Sequence, residues 1–179
     1  MHKMKTLPIS SKVSGIESVI DTIIKAGERV REIYESDFEV SKKDDNSPIT
    51  KADLESNKII KSYLEKTGIP ILSEEDMDDK SRLTSKNVWI VDPLDGTTDF
   101  VNRTGEFTIM IGLVENHVPI MGLIYWPIKE KLYFAERGFG AFCYFSQKWE
   151  QISVRETRDF EQCLALVSRH LCLTEKRKC

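Results

Sequence analysis

The sequence contains few cysteines, no long apolar run and no basic excess. Its four cysteines, Cys143, Cys163, Cys172 and Cys179, include no Cys-x-x-Cys pair, so we expect neither a disulfide framework nor a zinc site. Apolar stretches such as residues 118–127 are far shorter than the roughly 20 residues that span a bilayer, so no transmembrane segment is expected. No apolar run follows the basic N-terminus, which argues against a signal peptide and favours a cytoplasmic location. Peripheral attachment to the cytoplasmic face of a membrane is left open.

The composition is that of a soluble globular protein. The chain has 179 residues, of which 40% are hydrophobic and 31% are charged. Its 26 basic and 29 acidic residues give a formal net charge of −3, so we expect no nucleic-acid polymer as a partner. At this length one domain is the default, and a second complete domain would barely fit.

Helical spacing of apolar residues predicts one long amphipathic helix over residues 14–35. The polar segment 42–48 ends in proline, which favours an extended loop. A second helix is predicted behind it, with Thr50 as N-cap, Asp53 as a capping-box partner and an end at Gly68.

Short runs of β-branched and aromatic residues then predict a sheet. The predicted strands cover residues 71–73, 88–91, 107–114, 118–126, 132–135, 141–145 and 164–168. Because the connectors between the later strands are too short for a crossover helix, we expect an antiparallel meander. The predicted fold class is therefore α+β, with two helices covering one face of an antiparallel sheet.

Acidic residues stand at the ends of these elements. Asp53 alone is explained by capping of a helix start. Glu74 and Glu75 follow a short apolar strand, whereas Asp76, Asp78 and Asp79 are typical of a solvated acidic loop. The first two are the better candidates for chemistry because a strand end fixes their position.

The third acidic group lies in the segment 91–97, where two carboxylates emerge around a rigid proline. If Asp92 and Asp95 converge, their charges repel unless a cation lies between them, and oxygen ligands suit Mg²⁺. Gly96 and Thr97 allow N–H groups at the start of a short helix to face a phosphate oxygen. An Asp-Gly turn with a capping Asp is the alternative.

Three ordered motifs resemble those of the inositol monophosphatase superfamily of Mg²⁺-dependent, lithium-sensitive phosphatases. They are Asp-Pro-Leu-Asp-Gly-Thr at 92–97, Asp-Asp-Asn-Ser-Pro-Ile-Thr-Lys-Ala-Asp at 44–53 and Leu-Ser-Glu-Glu-Asp at 72–76. The residues of these motifs, together with Gly-Glu-Phe-Thr at 105–108, are similar to those of the 3′(2′),5′-bisphosphate nucleotidase branch. The resemblance runs from about residue 14 to Arg169. It implies a sugar-phosphatase-like fold and removal of the 3′-phosphate from adenosine 3′,5′-bisphosphate or its sulfated form.

The resemblance also implies roles for individual residues. The implied ligands of two or three Mg²⁺ ions are Glu74, Asp92, the Leu94 carbonyl and Asp95. Asp53 and Thr97 become the catalytic pair that polarises the attacking water. The implied substrate-binding residues are Glu74, Leu94, Asp95, Gly96 and Thr97. A small phosphorylated nucleotide is the expected partner, and homodimers are common in the superfamily.

This sequence departs from the family pattern in two places. Thr98-Asp99-Phe100 stands where the nucleotidase branch commonly has Lys-Glu-Phe, which keeps an inositol monophosphatase-type activity as an alternative. The Trp-Asp motif, whose Asp is a further metal ligand in the family, is missing from this sequence. We expect a phosphatase domain over residues 1–155, a truncated start of a second α/β domain over 156–179, and no resemblance after His170. Weak activity, or a non-catalytic fragment, is expected.

Overall fold

The computed structural model describes residues 7–8, 10–43 and 48–163. Helix α1 spans Ile16–Tyr34, which confirms the first predicted helix. It begins after Gly15, whose φ of 74° is a backbone conformation that glycine adopts without strain. The side chains of α1 that are buried are Ile16, Val19, Ile20, Thr22, Ile23, Ala26, Val30 and Ile33. Their spacing is that of one helix face.

Helix α2 spans Lys51–Leu64 and begins at the predicted N-cap, Thr50. A 3₁₀ turn, Glu65–Thr67, extends it to Gly68, which has a φ of 69° and ends the helical segment as predicted. The segment before α2 differs from the prediction. Strands β1, Val40–Lys42, and β2, Pro48–Thr50, pair antiparallel, so Pro48 belongs to a two-stranded sheet and not to a loop. Residues 44–47 lie outside the described residues.

A second sheet has seven strands in sequential order. They are β3, Ile71–Ser73; β4, Asn87–Asp95; β5, Thr108–Glu115; β6, Val118–Trp126; β7, Lys131–Glu136; β8, Gly140–Phe145; and β9, Lys148–Ile152. The antiparallel meander is confirmed from β4 to β9. Strand β9 was not predicted, and the predicted strand 164–168 lies outside the described residues.

The pairing of β3 was predicted wrongly. It runs parallel to β4, with Ser73 opposite Val91. The connection 74–86 is long enough to carry the chain from the carboxyl end of β3 back to the opposite end of the sheet, where β4 begins. A 3₁₀ turn at Ser81–Leu83 lies within that connection. The carboxyl ends of β3 and β4 therefore meet, which an antiparallel pair would have prevented.

The two faces of the large sheet differ. Helices α1 and α2 pack against each other and against the face that presents Trp89, Ile109 and Ile111, which are buried. On the opposite face Ile90 and Ile124 are 44% and 40% exposed, so apolar surface is left uncovered there. Among residues 7–8, 10–43 and 48–163, no helix is long and apolar enough to cross a membrane.

Candidate functional site

The predicted acidic residues meet at the carboxyl ends of β3 and β4. The N–H of Glu74 donates a 3.1 Å hydrogen bond to the Val91 carbonyl, which continues the parallel ladder beyond the end of β3. Asp92 is the next residue of β4, and the negative charge of Glu74 acts on its carboxyl group. The parallel pair of strands thus brings together two acidic motifs that are far apart in sequence.

The segment from Asp92 to Asp95 leaves the regular strand pairing. The register between β4 and β5 shifts between these two residues, and the segment includes Pro93, which has no N–H to give to a ladder. The Leu94 N–H instead donates a 3.1 Å bond to Oδ1 of Asp92. Asp95 is exposed, whereas the Leu94 side chain is buried. The irregularity leaves both carboxylates on a short, fixed piece of backbone.

Burial raises the pKa of Asp92 to about 7, and the negative charges of Glu74 and Asp95 add to this effect. The bond from the Leu94 N–H acts in the opposite direction. A carboxyl group that titrates near neutrality in this way is destabilised as an anion. It marks a place where a positive charge would be stabilised.

Asp53 and Thr97 form a hydrogen-bonded pair. Oδ2 of Asp53 accepts bonds from the N–H and the hydroxyl of Thr50, at 2.7 and 2.6 Å, and Oδ1 accepts a 3.0 Å bond from the Thr97 hydroxyl. Asp53 is fully buried, and this burial raises the pKa of its carboxyl group, although the three bonds oppose the rise. The cap interpretation is confirmed, and the same carboxylate also contacts the predicted catalytic partner.

Gly96 is required by its surroundings. Its φ of 89° is unfavourable for other residues, and an added Cβ would lie 3.0 Å from the carbonyl oxygen of Glu106. Helix α3, Thr97–Val101, starts immediately after it, as the sequence predicted. The fully buried ring of Phe100 anchors α3, with its centroid 4.8 Å from that of Phe38 and 5.0 Å from that of Phe107.

Sequence reasoning missed a lysine at this site. The ammonium of Lys43 donates to Oε1 of Glu74 at 2.9 Å and to Oε1 of Glu75 at 2.7 Å. Burial acts to lower the pKa of Lys43, but the bonds to the two carboxylates outweigh it and raise the pKa. The Glu75 side chain is only 4% exposed and the Glu74 side chain 52%. The polar segment around Lys43 contains no local pattern that would have predicted these contacts.

The carboxylates suit a hard divalent cation. Among the described residues, no three His, Cys, Asp or Glu side chains stand gathered as a ready-made metal site. However, burial raises the pKa of Asp92, and the negative charges of Glu74 and Asp95 raise it further. All donors are oxygens, which Mg²⁺ prefers. The residues present therefore fit a magnesium ion that relieves their mutual repulsion.

The sequence model of the inositol monophosphatase family matches residues 13–177 of this chain. The chain belongs to the inositol monophosphatase family. The match extends beyond His170, so the expectation that the resemblance would end there was wrong. A family relative from Aggregatibacter actinomycetemcomitans, "3'(2'),5'-bisphosphate nucleotidase CysQ", is 40% identical over 71% of this chain and 49% of its own length.

Two solved structures of family members match the fold. The crystal structure of CysQ from Bacteroides thetaiotaomicron is 40% identical, with a TM-score of 0.69 over 82% of this chain and 60% of its own chain. An IMPase/NADP phosphatase complexed with Mg²⁺ and phosphate is 24% identical, with a TM-score of 0.63 over 72% of this chain and 50% of its own. This chain thus spans about half to three fifths of the length of these relatives.

Proposed function

We propose that this chain carries the catalytic residues of a Mg²⁺-dependent phosphomonoesterase, with adenosine 3′,5′-bisphosphate or its sulfated form as substrate. The observation that carries the proposal is the Asp53–Thr97 hydrogen bond. It joins α2, which packs against β3 and β4, to the residue two positions after Asp95. The name of the CysQ relatives supports the choice of a nucleoside bisphosphate. The family neighbour that holds Mg²⁺ and phosphate supports the choice of metal.

Each group has one role in this proposal. Glu74, Asp92, Asp95 and the Leu94 carbonyl would hold two or three Mg²⁺ ions. When bound, these ions neutralise charge on the transferring phosphoryl group and lower the pKa of bound water. The N–H groups of Gly96 and Thr97 donate hydrogen bonds to a phosphate oxygen, because the first N–H groups of a helix have no partner within it.

The Asp53–Thr97 pair orients the attacking water. The Thr97 hydroxyl donates its hydrogen to Asp53, so its oxygen can accept a hydrogen bond from the attacking water. Asp53 is held by the two donors of Thr50 and therefore keeps Thr97 in one orientation. In-line phosphoryl transfer depends on such positioning and on charge neutralisation more than on covalent help.

Phosphate release tests the proposal. The chain is assayed with adenosine 3′,5′-bisphosphate and with inositol 1-phosphate, in Mg²⁺, in excess chelator and with millimolar lithium. We expect Mg²⁺-dependent, lithium-inhibited release with preference for the nucleotide. Preference for inositol 1-phosphate would favour the inositol monophosphatase-type activity, and equal release in chelator would contradict the metal role. Asp21→Asn, on the exposed side of α1, is a matched control for carboxylate substitutions.

The proposal also covers domain organisation, oligomeric state, location and rate of turnover. A second α/β domain beginning near residue 156, association into homodimers and a cytoplasmic location remain our predictions. A polypeptide limited to these 179 residues is expected to turn over slowly, since it contains no Trp-Asp motif. A non-catalytic role is the alternative that an absence of Mg²⁺-dependent release would favour.

A further inference from the structure

Helix α2 carries two buried polar side chains on the same face as Asp53. Ser56 and Asn57 follow Asp53 by three and four residues, so the three side chains are neighbours on the helix surface. Ser56 is fully buried and Asn57 is 7% exposed. Polar groups buried at this depth are retained only with hydrogen-bond partners, and these partners lie outside the helix.

Ser56 holds the Asp92–Asp95 segment. Its hydroxyl donates a 2.7 Å hydrogen bond to the carbonyl oxygen of Pro93. That carbonyl lies where the register between β4 and β5 shifts, so the regular ladder does not fix this part of the backbone. The bond from Ser56 therefore ties the peptide between the two candidate carboxylates to α2.

Asn57 holds the other acidic segment. Its Oδ1 accepts a 2.9 Å bond from the Ser73 hydroxyl, and its Nδ2 donates to Oδ1 of Asp76 at 3.2 Å. These two partners flank Glu74 and Glu75 on either side along the chain. One side-chain amide on α2 thus fixes both ends of the segment that carries Glu74.

We infer that Ser56 and Asn57 are positioning residues that set the separation between Glu74 and the Asp92–Asp95 carboxylates by tying both segments to α2. The inference rests on the proposed function, because it assumes that these carboxylates take up a metal ion. Without such ties, mutual repulsion of the carboxylates would drive the two segments apart. Outer hydrogen-bond partners of metal ligands typically contribute 10–100-fold to metal affinity.

The test is metal affinity, measured by titration calorimetry with Mg²⁺ on the purified 179-residue chain well below its unfolding temperature. Asn57→Ala and Ser56→Ala are each expected to weaken Mg²⁺ binding about tenfold or more. Two control substitutions on α2 are expected to leave the affinity unchanged. Ser62→Ala removes an exposed hydroxyl that bonds only within the helix. Ile60→Val removes one methyl group from a fully buried side chain of the same helix and deletes no hydrogen-bonding group.

Ser73→Ala gives an independent route to the same contact. It removes the hydroxyl that bonds Asn57 from the strand side, so it keeps the test available if Asn57→Ala does not fold by circular dichroism. We expect a loss of affinity, and a combined loss smaller than the sum of the two single losses, because both substitutions delete the Ser73–Asn57 bond. Additive losses would show that the two residues act separately and would contradict the inference.

The outcomes separate the inference from the proposed function. If the unaltered chain takes up no Mg²⁺, the proposed function fails and the inference fails with it. If the unaltered chain binds Mg²⁺, but Asn57→Ala and Ser56→Ala bind it as tightly as Ile60→Val does, the two residues serve stability alone and only the inference is overturned.

Discussion

The hydroxyl of Thr97 donates to Oδ1 of Asp53 over 3.0 Å. The opposite oxygen of the same carboxylate caps α2 through Thr50. A single buried group thus begins a helix and orients a hydroxyl on another element. Substitutions on the two sides of Asp53 can separate these roles.

Thr97→Val removes the hydroxyl and keeps the shape of the side chain. We expect turnover to fall by about 10²-fold or more, because the attacking water loses its acceptor. The free energy of unfolding should change by only about 1 kcal/mol, the usual value of one hydrogen bond. Steady-state phosphate release and urea unfolding measure the two quantities. Thr97→Ser keeps the hydroxyl and should retain most activity, whereas normal turnover of the valine variant would show that the hydroxyl is not catalytic.

Asp53→Asn tests the cap against the catalyst. Asparagine supports a helix start, so a pure cap predicts a stability loss within about 1 kcal/mol and normal turnover. The structure predicts larger losses of both stability and turnover, since the amide NH₂ group cannot accept the hydrogen bonds that the carboxylate oxygen accepts. We expect a loss of about 1–3 kcal/mol in unfolding free energy and turnover at least about 10²-fold lower. Activity close to that of the unaltered chain would show that Asp53 serves only as a helix cap.

Asp92→Asn should weaken Mg²⁺ binding by at least about tenfold, since loss of an outer partner alone often costs that much. The metal-free fold should keep its stability, because Asp92 is a source of repulsion with Glu74 and Asp95 and its side chain is only half-buried. Calorimetric Mg²⁺ titration and urea unfolding check both expectations. The exposed Asp21→Asn serves as the control. An unchanged titration would remove Asp92 from the proposed metal site.

The stability of the metal-free chain should depend on pH. The pKa of Asp92 is about 7 in the folded chain and about 3.9 in an unfolded one, so the folded state binds more protons between these values. The free energy of unfolding therefore falls as pH rises from about 4 to 7. The raised pKa values of Asp53 and Glu75 act in the same direction. Urea unfolding from pH 5 to 8 measures the slope, and Asp92→Asn should reduce it.

Extension of the chain should raise its activity. A polypeptide limited to these 179 residues exposes the apolar face around Ile90 and Ile124 and contains no Trp-Asp motif, so we expect water to reach the candidate site and weaken charge stabilisation there. We expect a chimaera that continues into the Trp-Asp segment of a CysQ relative to turn over substrate faster at matched Mg²⁺. Equal turnover of the short and extended chains would show that the further carboxylate is dispensable.

The local parts of the site were predictable from the sequence. The N-cap at Thr50 and the turn at Gly96 depend on interactions within a few residues, so residue type and spacing were enough to predict them. The roles of the site residues stay predictions until they are tested in solution.

The long-range parts were not predictable in the same way. The electrostatic interaction between Glu74 and Asp92 depends on the parallel pairing of β3 with β4, which follows from the path of the connection between them. The bonds of Lys43 and Asn57 also join segments that only the complete fold brings together. No periodicity in the sequence encodes such contacts.

The parallel pair also bears on the order in which the molecule folds. Strands β4 to β9 pair with their immediate neighbours along the chain, and most of these pairs close through short hairpins at low entropic cost. The β3–β4 pair instead closes the connection 74–86, so we expect it to form after the hairpins of β5 to β9. Contacts formed after the folding transition state change the unfolding rate more than the folding rate. A cation held at the ends of β3 and β4 would thus prolong the lifetime of the native state without accelerating its formation.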